Sequence, residues 1–204
     1  MKTIFIPAKS KQKIDYSNII GQIGKLPKNI AICYSIQFES QANTLRDTLN
    51  KLKNKQITAF KQILGCSRPI FPKNTQTLIL IGQGKFHSVS LEYETKIPVY
   101  LIEGDKLTKV SSQDVEKLEK KQKASYTNYL HQDKAGILIT NKPGQQKLQK
   151  ALKLKKRLKK KSYLFLCNNI DPSEFENFGL KSWINTACPR LDLDDFRILN
   201  INRL

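Results

Sequence analysis

The chain has 204 residues, 39% hydrophobic and 26% charged, enough for one large or two small domains and too apolar for a disordered segment. Lys and Arg total 36 against 17 Asp and Glu, a formal charge of +19 that predicts salt-sensitive attachment to polyanions. No apolar run approaches the roughly 20 residues of a membrane span, and the N-terminal run is too short for a signal peptide, so a soluble cytoplasmic protein is expected.

The N-terminal run Met1–Ala8 reads as a short strand. Ile30–Tyr34 is a compact apolar run and reads as a buried strand. Leu45, Leu49 and Leu52 stand at helical spacing and predict a helix over 39–53. Ile57–Phe60, Leu78–Ile81 and Val99–Ile102 read as further strands. A long polar helix is expected over 112–131, with Ser112 as its cap. The pattern then begins again. Gly136–Thr140 is a strand, Gly144 to about Lys160 a helix, and Tyr163–Cys167 a strand. A short helix over 172–177 precedes strands at Trp183–Asn185 and Ile198–Ile201.

Ile30–Leu52 resembles Gly136–Leu158 in this pattern, and Leu78–Lys85 resembles Trp183–Arg190. The expected fold is therefore α/β: two similar small domains, each a parallel sheet of about four strands flanked by helices. In such sheets ligands sit beyond the carboxyl ends of the strands. The loops there are Ser35–Gln37, Gly65–Cys66, Gly82–Lys85, Asn141–Gln145 and Thr186–Arg190.

Those loops hold the unusual chemistry. Cysteines stand at 33, 66, 167 and 188, with no C-x-x-C pair, so a zinc ribbon or thioredoxin-type site is not indicated. Cys33 and Cys167 lie in apolar strands and read as small buried hydrophobes. Cys66 and Cys188 follow strands and lie in loops, where thiolates from separate loops suit an iron–sulfur cluster; two thiolates alone do not complete its usual ligation. Arg190 beside Cys188 is suited to lowering the thiol pKa or to bidentate carboxylate binding, or is simply a solvated surface residue. Gly82-Gln83-Gly84-Lys85-Phe86-His87 lacks the third glycine of a dinucleotide fingerprint and reads as a tight turn where a ligand approaches backbone N–H groups. His87 is a cap or hydrogen-bond donor at most. Lys147–Lys161 is densely basic, and a solvated helix face with a dipole-compatible last turn is favoured there over a polyanion site.

Four strings in this order resemble one family. They are Gln62-Ile63-Leu64-Gly65-Cys66, Ile81–His87, Gly136–Gln145 and Asn185-Thr186-Ala187-Cys188-Pro189-Arg190-Leu191. Together they resemble the archaeal and eukaryotic diphthamide synthase subunits, over about Lys28 to Asp195. The resemblance implies a noncanonical radical enzyme of three similar α/β domains, each giving one cysteine to a central [4Fe–4S] cluster that binds S-adenosylmethionine. It implies transfer of a 3-amino-3-carboxypropyl group to a histidine of translation elongation factor 2, the first step of diphthamide synthesis. By position, Cys66 and Cys188 resemble the second- and third-domain cluster ligands. Gln37, Gly82, Gly84, Lys142, Gly144, Gln145 and Arg190 fall on loops that would line the S-adenosylmethionine cleft.

The family's first domain has no counterpart in this sequence, and no cysteine precedes Cys33. The expected organisation is a remnant strand and linker helix over 1–26, an α/β domain with Cys66 over 27–111, and a linking helix with the Cys188 domain over 112–204. The resulting expectation is one part of a split transferase, with a separate polypeptide supplying the first domain and third cysteine. The implied partners are that polypeptide, elongation factor 2, an electron donor and a dimeric or higher assembly, with no membrane and no required nucleic acid. The alternative is a non-catalytic subunit assisting a complete relative. A basic RNA- or ribosome-associated protein rests on charge alone and ranks last.

Overall fold

The computed structural model describes residues 4, 6–64, 68–193 and 195–204. The chain forms two compact units, Met1–Glu116 and Lys117–Leu204. No helix among the described residues is long and apolar enough to cross a membrane.

The first unit holds strands β1 (Asn29–Tyr34), β2 (Gln56–Gln62), β3 (Thr77–Ile81), β4 (Val99–Glu103) and β5 (Lys106–Lys109). Its helices are α1 (Ser17–Gly24), α2 (Glu39–Asn50) and α3 (Lys85–Thr95). The sheet order is β2-β1-β3-β4-β5, parallel except for β5, which turns back antiparallel on β4. A parallel sheet is covered on both faces, and alternation along each strand divides the core accordingly. Ile30, Ile32, Ile79, Ile81 and Ile102 meet Ile19, Ile23, Leu45 and Leu49 of α1 and α2. Ala31, Cys33, Leu78, Leu80 and Leu101 meet Leu91 of α3 on the other face.

The second unit holds β6 (Lys134–Thr140), β7 (Lys161–Cys167), β8 (Trp183–Asn185) and β9 (Ile198–Asn200), all parallel in the order β7-β6-β8-β9. Helix α4 (Ser112–His131) leads into it and α5 (Leu148–Arg157) connects β6 to β7. Leu148, Ala151 and Leu154 of α5 pack with Ile137, Ile139 and Ile184. On the opposite face Trp183 is fully buried and stacks on Phe175 at 4.2 Å. The order of the first four strands is the same in both units, so the repeat in the sequence pattern is a repeat of topology.

Several expectations change. Helix α3 and strand β5 are absent from the sequence reading; β5 closes a tight turn at Gly104, whose φ is +59°, a region glycine enters without strain. The helix expected from Gly144 begins only at Leu148 and ends at Arg157, because Gly144 has φ +76° and the chain turns there first. No strand is present among the described residues of 3–8, and Ile4 and Ile6 are exposed. The carbonyl that starts α4 belongs to Ser111, not Ser112: it accepts from the amides of Asp114 and Val115. Cys167 is half-buried at the end of β7 rather than enclosed.

Candidate functional site

In a 2-1-3-4 parallel sheet the chain reverses its direction of progress between the two central strands, and the crevice at their carboxyl ends is the usual ligand position. In the first unit those strands are β1 and β3, joined at their ends by a bond from Ser35 N–H to the Ile81 carbonyl, 3.3 Å. Gln37 lies exposed in the 3₁₀ turn Ile36–Phe38 after β1, where its carbonyl accepts from Ser10 N–H at 2.8 Å. Gly82 is buried, and its amide continues the sheet to the Ile102 carbonyl. Gly84 stands at the N-cap of α3 with φ +75°. Its N–H already donates to Glu103 Oε1 at 2.9 Å, so this turn carries an internal carboxylate at one of the amides the sequence offered to a ligand. His87 lies half-buried in α3, its ring 5.4 Å from that of Phe86.

Strand β2 ends at Gln62, and Ile63 N–H donates to the Tyr34 carbonyl at 2.8 Å. Cys66 follows, outside the described residues.

In the second unit the central strands are β6 and β8. After β6 the Thr140 hydroxyl donates to the Asn168 carbonyl and accepts from Lys142 N–H. Gln145 and Gln146 N–H both return to the Lys142 carbonyl, forming the turn. Lys142 and Gly144 are exposed on it and Gln145 is half-buried.

The loop after β8 is more tightly held. Asn185 Nδ2 donates to the Cys188 carbonyl and to Asn200 Oδ1, each at 2.7 Å. Asn185 Oδ1 accepts from Ala187 N–H at 2.8 Å, and Asn200 Nδ2 donates to the Pro189 carbonyl at 2.9 Å. Thr186 is anchored through its amide and hydroxyl to the Leu138 carbonyl of β6. Cys188 is thus presented half-exposed on a backbone fixed from both sides, and Arg190 follows, exposed in the 3₁₀ segment Pro189–Leu193. Asn200 went unrecognised in the sequence. Its available signal was the matching end of two short strands, Trp-Ile-Asn and Ile-Leu-Asn.

The thiols differ in environment. Cys33 is fully buried, and burial pushes its pKa up to about 12 against a weak pull from Lys61. Burial also raises the Cys167 pKa, opposed by the charge of Lys142; its Sγ lies 3.6 Å from the Ile139 carbonyl. Among the described residues no group of three or more His, Cys, Asp or Glu could hold a metal ion. Cys188 fits a cluster ligand by exposure and by the rigidity of its loop.

A model of the diphthamide synthesis protein family matches residues 1–198. The 2-(3-amino-3-carboxypropyl)histidine synthase of Pyrococcus horikoshii is 28% identical, over 95% of this chain and 60% of that protein. Subunit 1 of the Schizosaccharomyces pombe synthase is 29% identical, over 89% of this chain and 47% of that protein. The crystal structure of Dph2 from Pyrococcus horikoshii superposes with a TM-score of 0.80 at 22% identity, over 92% of this chain and 59% of that one. A structure of the same protein with a 4Fe-4S cluster gives a TM-score of 0.77. The chain spans roughly half to three fifths of the length of these relatives. This chain belongs to the diphthamide synthesis protein family.

Proposed function

We propose that this chain contributes two cysteine-bearing α/β units to a 3-amino-3-carboxypropyl transferase acting on a histidine of translation elongation factor 2. The observation that carries the proposal is the Cys188 loop: a half-exposed thiol at the carboxyl end of a central parallel strand, its backbone clamped by Asn185 and Asn200. A ligand to a cluster must be held in one geometry, and a rigid second set of hydrogen bonds does that.

In this proposal Cys66 and Cys188 each give a thiolate to a [4Fe–4S] cluster. When bound, such a cluster would supply one electron to cleave the bond between sulfur and the amino-carboxypropyl carbon of S-adenosylmethionine, with methylthioadenosine as the leaving fragment. In this reading Arg190 and Lys142 are the candidates to pair with the methionine carboxylate, Arg190 with a planar fork and Lys142 as a point charge. Gln37, Gly144 and Gln145 would offer loop side-chain and backbone groups to the remaining cofactor, whereas the Gly82 and Gly84 amides are already bonded to the Ile102 carbonyl and to Glu103. The buried Cys33 has neither the exposure nor the ionisation of a ligand. A cubane needs more thiolate than Cys66 and Cys188 provide, so a further cysteine comes from outside these residues, in our reading from a partner polypeptide. An electron donor and a dimeric or higher assembly complete the proposed system.

Anaerobic reconstitution with iron and sulfide tests this, read by absorbance and electron paramagnetic resonance. A cubane signal that requires a partner bearing the further cysteine, and is lost in Cys66→Ala and Cys188→Ala, supports it. Absence of a cluster with and without the partner would leave the non-catalytic subunit.

A further inference from the structure

We infer that the outer face of α5 is a docking surface for nucleic acid, gripping the phosphate backbone without reading bases. The inference is independent of the cluster. Between Lys134 and Ile170 the chain has no Asp or Glu. Helix α5 turns Leu148, Ala151 and Leu154 to the core and leaves Lys150, Lys153 and Arg157 exposed, three and four residues apart. Side chains at that spacing are neighbours on one helix face, so the three cations line up along it.

The helix dipole accounts for only part of this charge. It favours cations in the last turn, where Lys155, Lys156 and Arg157 lie. It does not favour Lys147 at the N-cap or Lys150 in the first turn. Like charges three and four apart also weaken a helix by a few tenths of a kcal/mol per pair, and the compensation would be a carboxylate on a neighbouring turn. Among the described residues none is within ion-pairing distance of these cations; Lys150 Nζ donates instead to Asn202 Oδ1 at 3.0 Å. A row of repelling cations held on a rigid face is relieved by an external polyanion.

The chemistry of the face chooses the partner. A protein interface is centred on buried apolar or aromatic anchors, and the exposed positions of α5 are Gln149, lysines and Arg157, with Leu152 half-buried at the margin. Lysine is a point charge suited to phosphates, less so to bidentate carboxylate recognition. Duplex nucleic acid offers the denser charge, about one per 1.7 Å of axis, and releases counterions when it is neutralised.

The test is fluorescence anisotropy of a short labelled RNA duplex titrated with the full chain, at salt from about 50 to 200 mM. The expected result is binding that weakens steeply with salt. The triple variant Lys150→Ala, Lys153→Ala, Arg157→Ala is expected to bind about tenfold or more weakly, with a log–log salt slope smaller by about 3. Alanine retains the helix, which circular dichroism checks. A control triple on the first unit, Lys51→Ala, Lys53→Ala, Lys73→Ala, is expected to bind like the parent. No binding at the lowest salt overturns the inference. So does an equal loss in the control, which would make net charge the cause. Displacement by poly-L-glutamate as effective as by unlabelled RNA would overturn it in favour of an acidic protein partner.

Discussion

Asn185 and Asn200 lie opposite each other in the register of β8 and β9, and their side-chain amides meet at 2.7 Å. Both are buried, at 1% and 8% exposure, so their bonds are not shared with bulk water. Asn185 makes three of these bonds and Asn200 takes part in two, all bearing on the loop that displays Cys188.

Removing either amide leaves buried polar groups unpaired, at a cost of about 1–3 kcal/mol. Asn185→Ala is expected to cost more than Asn200→Ala, since it also frees the Ala187 amide. Urea denaturation measures the difference. Both variants should also change the rate at which Cys188 is alkylated in the folded protein, while Cys167, anchored on β7, keeps its rate. The reverse order of stabilities would contradict the clamp.

The thiols themselves provide a second check. At neutral pH iodoacetamide should modify Cys188 in the native chain and leave Cys33 untouched, because Cys33 is fully enclosed and its thiol is held up to about 12. Mass spectrometry before and after addition of denaturant reads this out. Labelling of Cys33 under native conditions would show that the β1 core opens locally.

Two glycines should respond to alanine with opposite signs. A Cβ on Gly136 would come within 2.2 Å of the Trp183 ring, which is itself enclosed by Phe165, Phe175 and Phe178. Gly136→Ala therefore overpacks the core and should cost about 1–3 kcal/mol or more. Trp183 is the single tryptophan, so its emission reports the disturbance directly. Gly21 lies within α1, where an added methyl would meet nothing within 4 Å, and Gly21→Ala should raise stability by about 0.5–1 kcal/mol. Thermal melts of the two variants displaced in the same direction would contradict this packing.

Asp195 and Arg197 form a fork, with Arg197 Nη2 and Nε 2.6 and 2.9 Å from Asp195 Oδ2. Burial alone would raise the Asp195 pKa; the hydrogen bonds from the Arg197 side chain and amide, with its charge, outweigh burial and lower it. A carboxylate depressed in the folded state stabilises it above the unfolded pKa of about 3.9, and that contribution is lost as pH falls through the folded value. Asp195→Asn should cost about 1.5–3 kcal/mol at neutral pH and flatten the loss of stability on acidification. A wild-type and variant pair with parallel stability curves from neutral to acid pH would contradict the linkage.

Where apolar residues run together, the elements were legible. Ile30–Tyr34, Leu78–Ile81, Val99–Ile102 and Gly136–Thr140 are strands buried on both faces, and such runs announce themselves in sequence. Helix α3 buries only Ser88 and Leu91, too few for a clear 3.6-residue period. Strand β5 is Lys-Leu-Thr-Lys, with one apolar residue, and exists because β4 offers it an edge after the Gly104 turn. Helix α5 starts late because the backbone at Gly144 takes a left-handed conformation that no periodicity records.

The chain order of apolar runs and turns by itself determined the α/β class, the repeated pattern and the loops that follow each parallel strand. The four strings between Gln62 and Leu191, taken in order, pointed to the family. Only the tertiary structure decided which residues hold Cys188. Asn185 and Asn200 are fifteen positions apart, and local preference carries no information about their meeting. They meet because β8 and β9 pair in register as parallel strands, and two buried amides at the ends of those strands must satisfy each other and the loop carbonyls between them.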